Sequence, residues 1–411
     1  MFENVFDELK YRGFIEQSTD EDALRDLLGE KKVTSYIGFD PTADSLHVGN
    51  LVQILALYHM QKYGHHPIAL IGGGTTMIGD PSGKTELRQM MTREKIESNS
   101  ACIKKQIGKY IDFSGGGTAT AVDNADWLLG LGYIEFLRDI GRNFSVNRML
   151  AAESYKMRLE TGLNFIEFNY QILQAYDYLE LNRRYGCVLQ MGGSDQWGNI
   201  VAGIDLVRRM EGNEVYALTT PLVTNSAGQK MGKTAQGAVW LDPDRFKPYD
   251  FYQYWINVDD QDVIRFMKLF TMLSPEEIAP FEAMQGADLR KAKQKLAYEL
   301  TAFIHDKSSA EEAQSAAAAL FGQGGAKEGA PETVLTDTEL GDGMPITVLF
   351  AKVGLAPSSS EARRMIRGGG LYFKDERVSD ERYLVTAADF KSGDVLLRAG
   401  KKRFHLVKIS R

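Results

Sequence analysis

The sequence predicts an α/β protein: a parallel sheet covered by helices on both faces, then a helical segment, then a small basic module. Three observations predict it. Short β-rich runs alternate with helical patterns up to Met210. From Pro243 to Leu320 the strand signal vanishes and apolar residues recur at helical spacing. The last stretch of chain carries a charge opposite to everything before it.

The elements follow in order. Residues 1–30 read as helices. Val33–Phe39 reads as a strand, Leu51–Tyr63 as a helix, Pro67–Ile71 as a strand and Thr92–Ile111 as a helix. Phe168–Arg184 is a helix by periodicity, Val188–Met191 a strand and Ile200–Met210 a helix. In such sheets ligands bind beyond the carboxyl ends of strands. The segments that follow the strands are Asp40–Asn50, Gly72–Lys84 and Gly192–Asn199. Val263, Phe266, Met267 and Phe270, then Leu296, Leu300, Phe303 and Ile304, mark the helical segment. Six glycines in residues 322–343 predict a flexible linker. The expected divisions are 1–240, 241–321, the linker 322–343 and a compact tail 344–411.

Composition bounds the function. A chain of 411 residues holds about two or three domains. With 44% hydrophobic and 25% charged residues it reads as an ordinary globular protein. No apolar run approaches the ~18 residues of a membrane span, and the acidic N-terminus is unlike a secretory leader. Cys102 and Cys187 are the only cysteines, so reduced thiols in a cytoplasm are expected, without a structural zinc. The net charge is −7, yet residues 343–411 hold fourteen Lys/Arg against seven Asp/Glu, a net of +7. The preceding body therefore carries −14. Such asymmetry fits a basic module that meets polyanion, or simply a small basic domain.

Two distant segments are weak alone and informative together: His47-Val48-Gly49-Asn50 after the first strand, and Lys230-Met231-Gly232-Lys233-Thr234 in a polar loop. A helix beginning near His47 offers free N–H groups to phosphate, and Gly49 admits a flat base. His47 is either a phosphate donor or a plain cap. Two lysines on a loop can neutralise a triphosphate, or form a solvated turn. Gly72–Thr85 resembles a P-loop but has Ile78 where that motif requires glycine. There Asp80 can bind an ammonium group, and Lys84 with Arg88, at i and i+4, can face one polyanion. Tyr170, Gln174 and Asp177 share one helix face, as a solvent-facing stripe or as partners of a zwitterionic ligand. Gln190–Asn199 is a third glycine-rich strand end, where Asp195 can accept from ribose hydroxyls.

With these segments assembled, the chain resembles bacterial-type tyrosyl-tRNA synthetases, class I enzymes, along essentially its whole length. Tyr36–Asn50, Ile78–Lys84, Gln174–Asp177, Gln190–Asn199 and Lys230–Thr234 carry the resemblance. Ser358–Gly369 and Gly400–Phe404 resemble a small RNA-binding domain shared with a ribosomal protein. The resemblance implies a Rossmann-like catalytic domain, a helical anticodon-binding domain, a small α+β RNA-binding domain and a cytoplasmic homodimer. It implies that L-tyrosine is activated by Mg-ATP and passed to tRNA(Tyr), with no tightly held metal. Tyr36 and Asp177 would hold the substrate phenol, and Asp80, Tyr170 and Gln174 its ammonium. Gln196 would sit near the reacting carboxylate. Asp40, Gly49, Asn50, Gly192, Asp195, Lys230, Met231 and Lys233 would line the ATP site. Thr42 and His47 would contact the γ-phosphate, and Lys84, Arg88, Lys230 and Lys233 the pyrophosphate. Three departures are visible: Asn50 replaces a second histidine, Gly232 and Thr234 replace serines of the general class, and Ile37 replaces a polar ribose contact in some relatives. The rival expectations are a tryptophan enzyme and a catalytically silent RNA-binding relative.

Overall fold

The computed structural model describes residues 2–82, 90–115, 118–152, 155–156, 159, 162–234, 237–321, 331–341, 343–374, 376–390, 393–400 and 403–410. The chain divides into two compact units, Met1–His305 and Asp306–Arg411.

The first unit is built on a six-stranded sheet. Its strands are β1 (Gln17–Ser18), β2 (Thr34–Phe39), β3 (His66–Ile71), β4 (Thr120–Asp123), β5 (Cys187–Gly193) and β6 (Tyr216–Thr220). Their spatial order is β1-β6-β5-β2-β3-β4. β1 is an antiparallel edge and every other neighbouring pair is parallel. On β2, Tyr36 lies between Ile68 of β3 and Gln190 of β5. The chain runs outward from β2 through β3 and β4, then returns to its other side as β5 and β6. This leaves a crevice at the carboxyl ends of β2 and β5, the place where doubly wound sheets bind ligands.

Helices α1 (Val5–Arg12), α2 (Glu21–Glu30), α3 (Leu51–Lys62), α4 (Arg93–Ile107), α5 (Phe165–Tyr185) and α6 (Trp197–Glu211) accompany the sheet. Side chains start several of them. Asn4 accepts from the Phe6 N–H at 2.8 Å, Thr92 from Lys95 at 3.3 Å and Asn164 from Glu167 at 2.9 Å. Helix α3 is buried along most of its length, which explains its near-continuous apolar sequence. Gly203 of α6 lets it lie close on α5, since a Cβ there would meet the Tyr178 side chain at 3.1 Å.

Residues 241–305 are helical, with Pro248–Ile256, Val263–Phe270, Pro275–Glu282 and Leu289–Ile304 as the main helices. Phe251, Trp255, Phe266 and Phe270 fill their core. This segment belongs to the same compact unit as the sheet. Buried Arg12 of α1 ties the two, donating to the carbonyls of Thr271 at 2.8 Å and Leu273 at 3.0 Å while paired with Glu8 at 2.8 Å.

The second unit holds a five-stranded sheet with helices Ile346–Lys352 and Ser359–Arg367 beside it. The expected linker 322–343 needs correction at its end. Glu332–Thr336 is a strand, paired in parallel with Arg403–Ser410, so the second fold begins before residue 344. A glycine count hides this, because Glu332-Thr333-Val334-Leu335-Thr336 is short, buries only Leu335 and has glycines on both sides.

Candidate active site

A cavity of about 430 Å³ opens at the carboxyl ends of β2 and β5. Tyr36 of β2 and Asp177 of α5 line it, and both are buried. Both oxygens of Asp177 are engaged: the Trp127 indole N–H donates at 2.8 Å and the Asn124 amide at 2.9 Å. Asn124 is fixed in turn. Its Oδ1 accepts from the Gly74 N–H at 2.8 Å, and its amide donates to Thr75 Oγ1 at 3.0 Å. Burial pushes the Asp177 carboxyl up to about 8, the two N–H donors oppose that rise, and nearby Asp40 and Asp123 add to it. The Tyr36 phenol is also raised, chiefly by burial and then by the Asp177 charge. Among the described residues, Tyr36 Oη and Gln190 Oε1 have no hydrogen-bond partner, and both residues line the cavity. Two such polar groups without partners are costly unless a ligand supplies them.

Above this floor lies a polar cluster. Gln196 donates to Asp80 Oδ2 at 2.8 Å, and the Ser82 N–H donates to Asp80 Oδ1 at 2.9 Å. Asn199 donates to Gln174 Oε1 at 3.0 Å and Gln196 Oε1 at 3.2 Å. Tyr170 donates to Asp40 Oδ2 at 3.2 Å, and Thr75 to Asp40 Oδ1 at 3.0 Å. Tyr170, Gln174 and Asp177 thus face the cavity, as their helical spacing predicts. Asp40 lines the same cavity and is bound into this network by Tyr170 and Thr75.

At the other end, the single turn Val48–Asn50 leads into α3. His47 caps it: Nδ1 accepts from the Gly49 N–H at 3.0 Å, and Asn50 Oδ1 accepts from the His47 N–H at 3.1 Å. The second distant segment packs directly against this turn. The Val48 N–H donates to the Val239 carbonyl at 2.9 Å, and Leu241 donates to Leu46 at 2.9 Å. Lys233–Thr234 and Gly237–Ala238 form a short antiparallel pair between them. Gly232 has φ +87°, and a Cβ there would meet the Gly49 nitrogen at 2.9 Å. Thr42, Lys230 and Met231 line the cavity here, with Gly192, Asp195 and Gln196 at the end of β5. Burial and the Asp80 charge raise the Asp195 carboxyl, against the pull of Lys230. Lys84 and Arg88 lie outside the described residues, and Lys233 is described by its backbone alone.

Sequence reasoning missed Asn124, Trp127, Thr75, Gln190 and Asn199. Asn124-Ala125-Asp126-Trp127 reads as an ordinary helix start, and nothing local marks its two N–H donors as partners of Asp177 fifty residues on. Gly72–Lys84, which holds Thr75, and Gln190–Asn199 offered a signal, their position after strands. Among the described residues no three His, Cys, Asp or Glu side chains converge as a protein-held metal needs, and no helix is long and apolar enough to cross a membrane.

Comparison with known proteins bears on this geometry. Residues 29–322 match the family model of class I tRNA synthetases (W and Y), and residues 325–407 match the SYY-like C-terminal domain of tyrosine–tRNA ligases. A tyrosine–tRNA ligase of Desulfosudis oleivorans is 56% identical over 99% of both chains. One of Acetivibrio thermocellus is 53% identical, also over 99% of both. Among solved structures, a C-terminally truncated mitochondrial tyrosyl-tRNA synthetase of Aspergillus nidulans superposes with a TM-score of 0.69 at 30% identity. That match covers 77% of this chain and 94% of the other. A tryptophanyl-tRNA synthetase of Encephalitozoon cuniculi, at 14% identity and TM-score 0.56 over 75% and 87%, shares the fold alone.

Proposed function

The chain belongs to the tyrosine–tRNA ligases of the class I aminoacyl-tRNA synthetases, and from that premise we propose how its cavity holds the substrates. The reaction has two steps. The carboxylate of tyrosine attacks the α-phosphorus of ATP, a new P–O bond forms and pyrophosphate leaves. A hydroxyl of the 3′-terminal ribose of tRNA then attacks the carbonyl carbon of tyrosyl-adenylate, and AMP departs. No protein nucleophile is required, so catalysis rests on positioning and on fixed charge where phosphate charge develops.

Tyrosine enters phenol first. Tyr36 and Asp177 take its hydroxyl, and the observation that carries this reading is the unpartnered Tyr36 Oη in the cavity that Asp177 also lines. Phenylalanine would leave both groups unpaired, and a pocket that needs a hydroxyl rejects the analogue without one. Tyrosine enzymes are the usual illustration of that rule. Asp80, Tyr170 and Gln174 receive the ammonium group, and Gln196, held against Asp80, lies beside the carboxylate that reacts.

ATP occupies the end formed by Gly49, Asn50, Gly192, Asp195 and Met231, with Asp195 accepting from the ribose. It arrives as its magnesium complex, the ion riding on the phosphates as part of the substrate. Because His47 Nδ1 accepts from Gly49, the neutral ring carries its proton on Nε2, where it can donate to the γ-phosphate with Thr42. Lys230 and Lys233, with Lys84 and Arg88, neutralise the departing pyrophosphate. The helical segment 241–321 reads the anticodon and the basic module of residues 344–411 binds tRNA, in a cytoplasmic homodimer. The strongly exposed Tyr133, Ile134, Val146 and Phe165 support a dimer face, since apolar side chains clustered in one stretch of chain call for a cover.

The test is amino-acid-dependent exchange between ATP and pyrophosphate, run with all twenty amino acids and no tRNA. Exchange with tyrosine alone is expected. Exchange with tryptophan instead would overturn the pocket reading. Exchange with none, alongside retained tRNA binding, would leave an RNA-binding protein.

A further inference from the structure

The lysine loop is held from the helical segment. Thr224 and Lys230 bridge across the base of a tight turn. Inside it the Asn225 N–H donates to the Gln229 carbonyl at 2.9 Å, and Asn225 Oδ1 accepts from Ala227 at 3.1 Å and Gln229 at 2.9 Å. These bonds close the turn on itself, with Lys230 at its end. Its outer edge is gripped by residues 259–265. Asp262, 3% exposed, accepts the Ser226 N–H on Oδ2 at 2.7 Å and Arg265 on Oδ1 at 2.7 Å. Asp259 accepts from the Ser226 hydroxyl at 3.1 Å, and Arg265 donates to the Thr224 carbonyl. Its other edge is gripped by Tyr254, whose hydroxyl accepts the Gly232 N–H at 3.4 Å and lies 3.3 Å from Met231 Sδ.

We propose that Asp262 and Tyr254 are positioning residues for adenylate formation: together they latch the Asn225–Gly232 turn so that Lys230 faces the phosphates of ATP. This rests on the reading of Lys230 given above. A buried carboxylate with each oxygen committed to a different donor fixes direction as well as distance, and charge-assisted bonds are the strong ones. Its partner Ser226 lies four residues before Lys230, so the grip reaches the lysine through a closed turn rather than a free strand. Neither Asp262 nor Tyr254 lines the substrate cavity. Removing either should leave the tyrosine pocket intact and misplace only the lysine. Displacement of a catalytic group by about an ångström costs on the order of a hundredfold in rate.

The experiment compares full-length wild type with Asp262→Ala, Asp262→Asn and Tyr254→Phe. It measures single-turnover tyrosyl-adenylate formation, tyrosine affinity by equilibrium dialysis, and folding by thermal unfolding. Asp262→Ala should slow adenylate formation by roughly tenfold to a hundredfold with tyrosine affinity unchanged. Asp262→Asn should recover part of the rate, because its amide oxygen still accepts from Ser226. Tyr254→Phe, which removes one hydroxyl and keeps the ring, should give a smaller loss of the same kind and serves if Asp262→Ala does not fold. Rates within twofold of wild type for folded Asp262→Ala, or for Tyr254→Phe where the first fails to fold, would overturn the latch. So would a parallel fall in tyrosine affinity. A wild type without adenylate formation would instead sink the functional reading itself.

Discussion

The indole N–H of Trp127 donates to Asp177 at 2.8 Å, in the same cavity wall where Asn124 takes the second carboxylate oxygen. Two neutral donors thus fix the direction of a buried carboxyl group. That leaves room for one further partner, which the phenol of tyrosine would be in the proposed binding mode. Asp177→Asn should erode preference for tyrosine over phenylalanine more than it lowers maximal activation. A buried polar group left without its partner costs about 1–3 kcal/mol, roughly fivefold to a hundredfold in selectivity. The ratio of kcat/KM for the two amino acids in pyrophosphate exchange is the measurement, and unchanged selectivity would count against the assignment.

The same residue predicts a pH dependence of stability. The Asp177 carboxyl sits at about 8 in the folded chain against an ordinary 3.8. Between these values the folded state holds a proton that the unfolded state has released, so stability falls as pH rises from about 4 to about 8. Asparagine cannot titrate. The unfolding midpoint of Asp177→Asn should therefore lose less between pH 5 and 8 than that of wild type. Parallel curves from chemical denaturation at each pH would show that another group sets the slope.

Trp127→Phe keeps an aromatic ring but removes one of the two donors. Asp177 then ionises less readily and loses its aim. Tyrosine affinity should weaken by about 1–2 kcal/mol, while the KM for ATP stays near wild type. Equilibrium dialysis with tyrosine reads this directly, and undiminished affinity would assign the indole N–H a packing role only.

Lys230 lines the cavity near the His47 turn, away from the phenol floor. Lys230→Ala should slow adenylate formation by about two orders of magnitude, the usual cost of one transition-state charge partner. Tyrosine dissociation should not change. A normal single-turnover rate would remove Lys230 from the chemistry.

Gly232 stands at φ +87° with the Gly49 nitrogen 2.9 Å from where a Cβ would lie. Gly232→Ala should separate the loop from the His47 turn. The left-handed conformation adds about 1 kcal/mol of strain. The expected result is a raised KM for ATP and slower activation with tyrosine affinity intact. Kinetics indistinguishable from wild type would mean the two segments need not touch for catalysis.

The sequence by itself determined the parallel sheet, because β2, β3 and β5 are buried on both faces and so read as apolar runs between helices. It also marked many of the side chains that line the candidate cavity, because glycine-rich strand ends and a polar stripe at i, i+4 and i+7 are local patterns with local causes. Strands as short as β1 and β4 left no period to read. Tertiary structure alone decided what lies across the cavity from each residue. Trp127 and Asn124 on Asp177, and Asp262 on Ser226, are contacts between segments whose sequences carry no trace of one another. A hydrogen bond across 36 or 50 residues is set by how layers pack, and packing is a property of the whole chain.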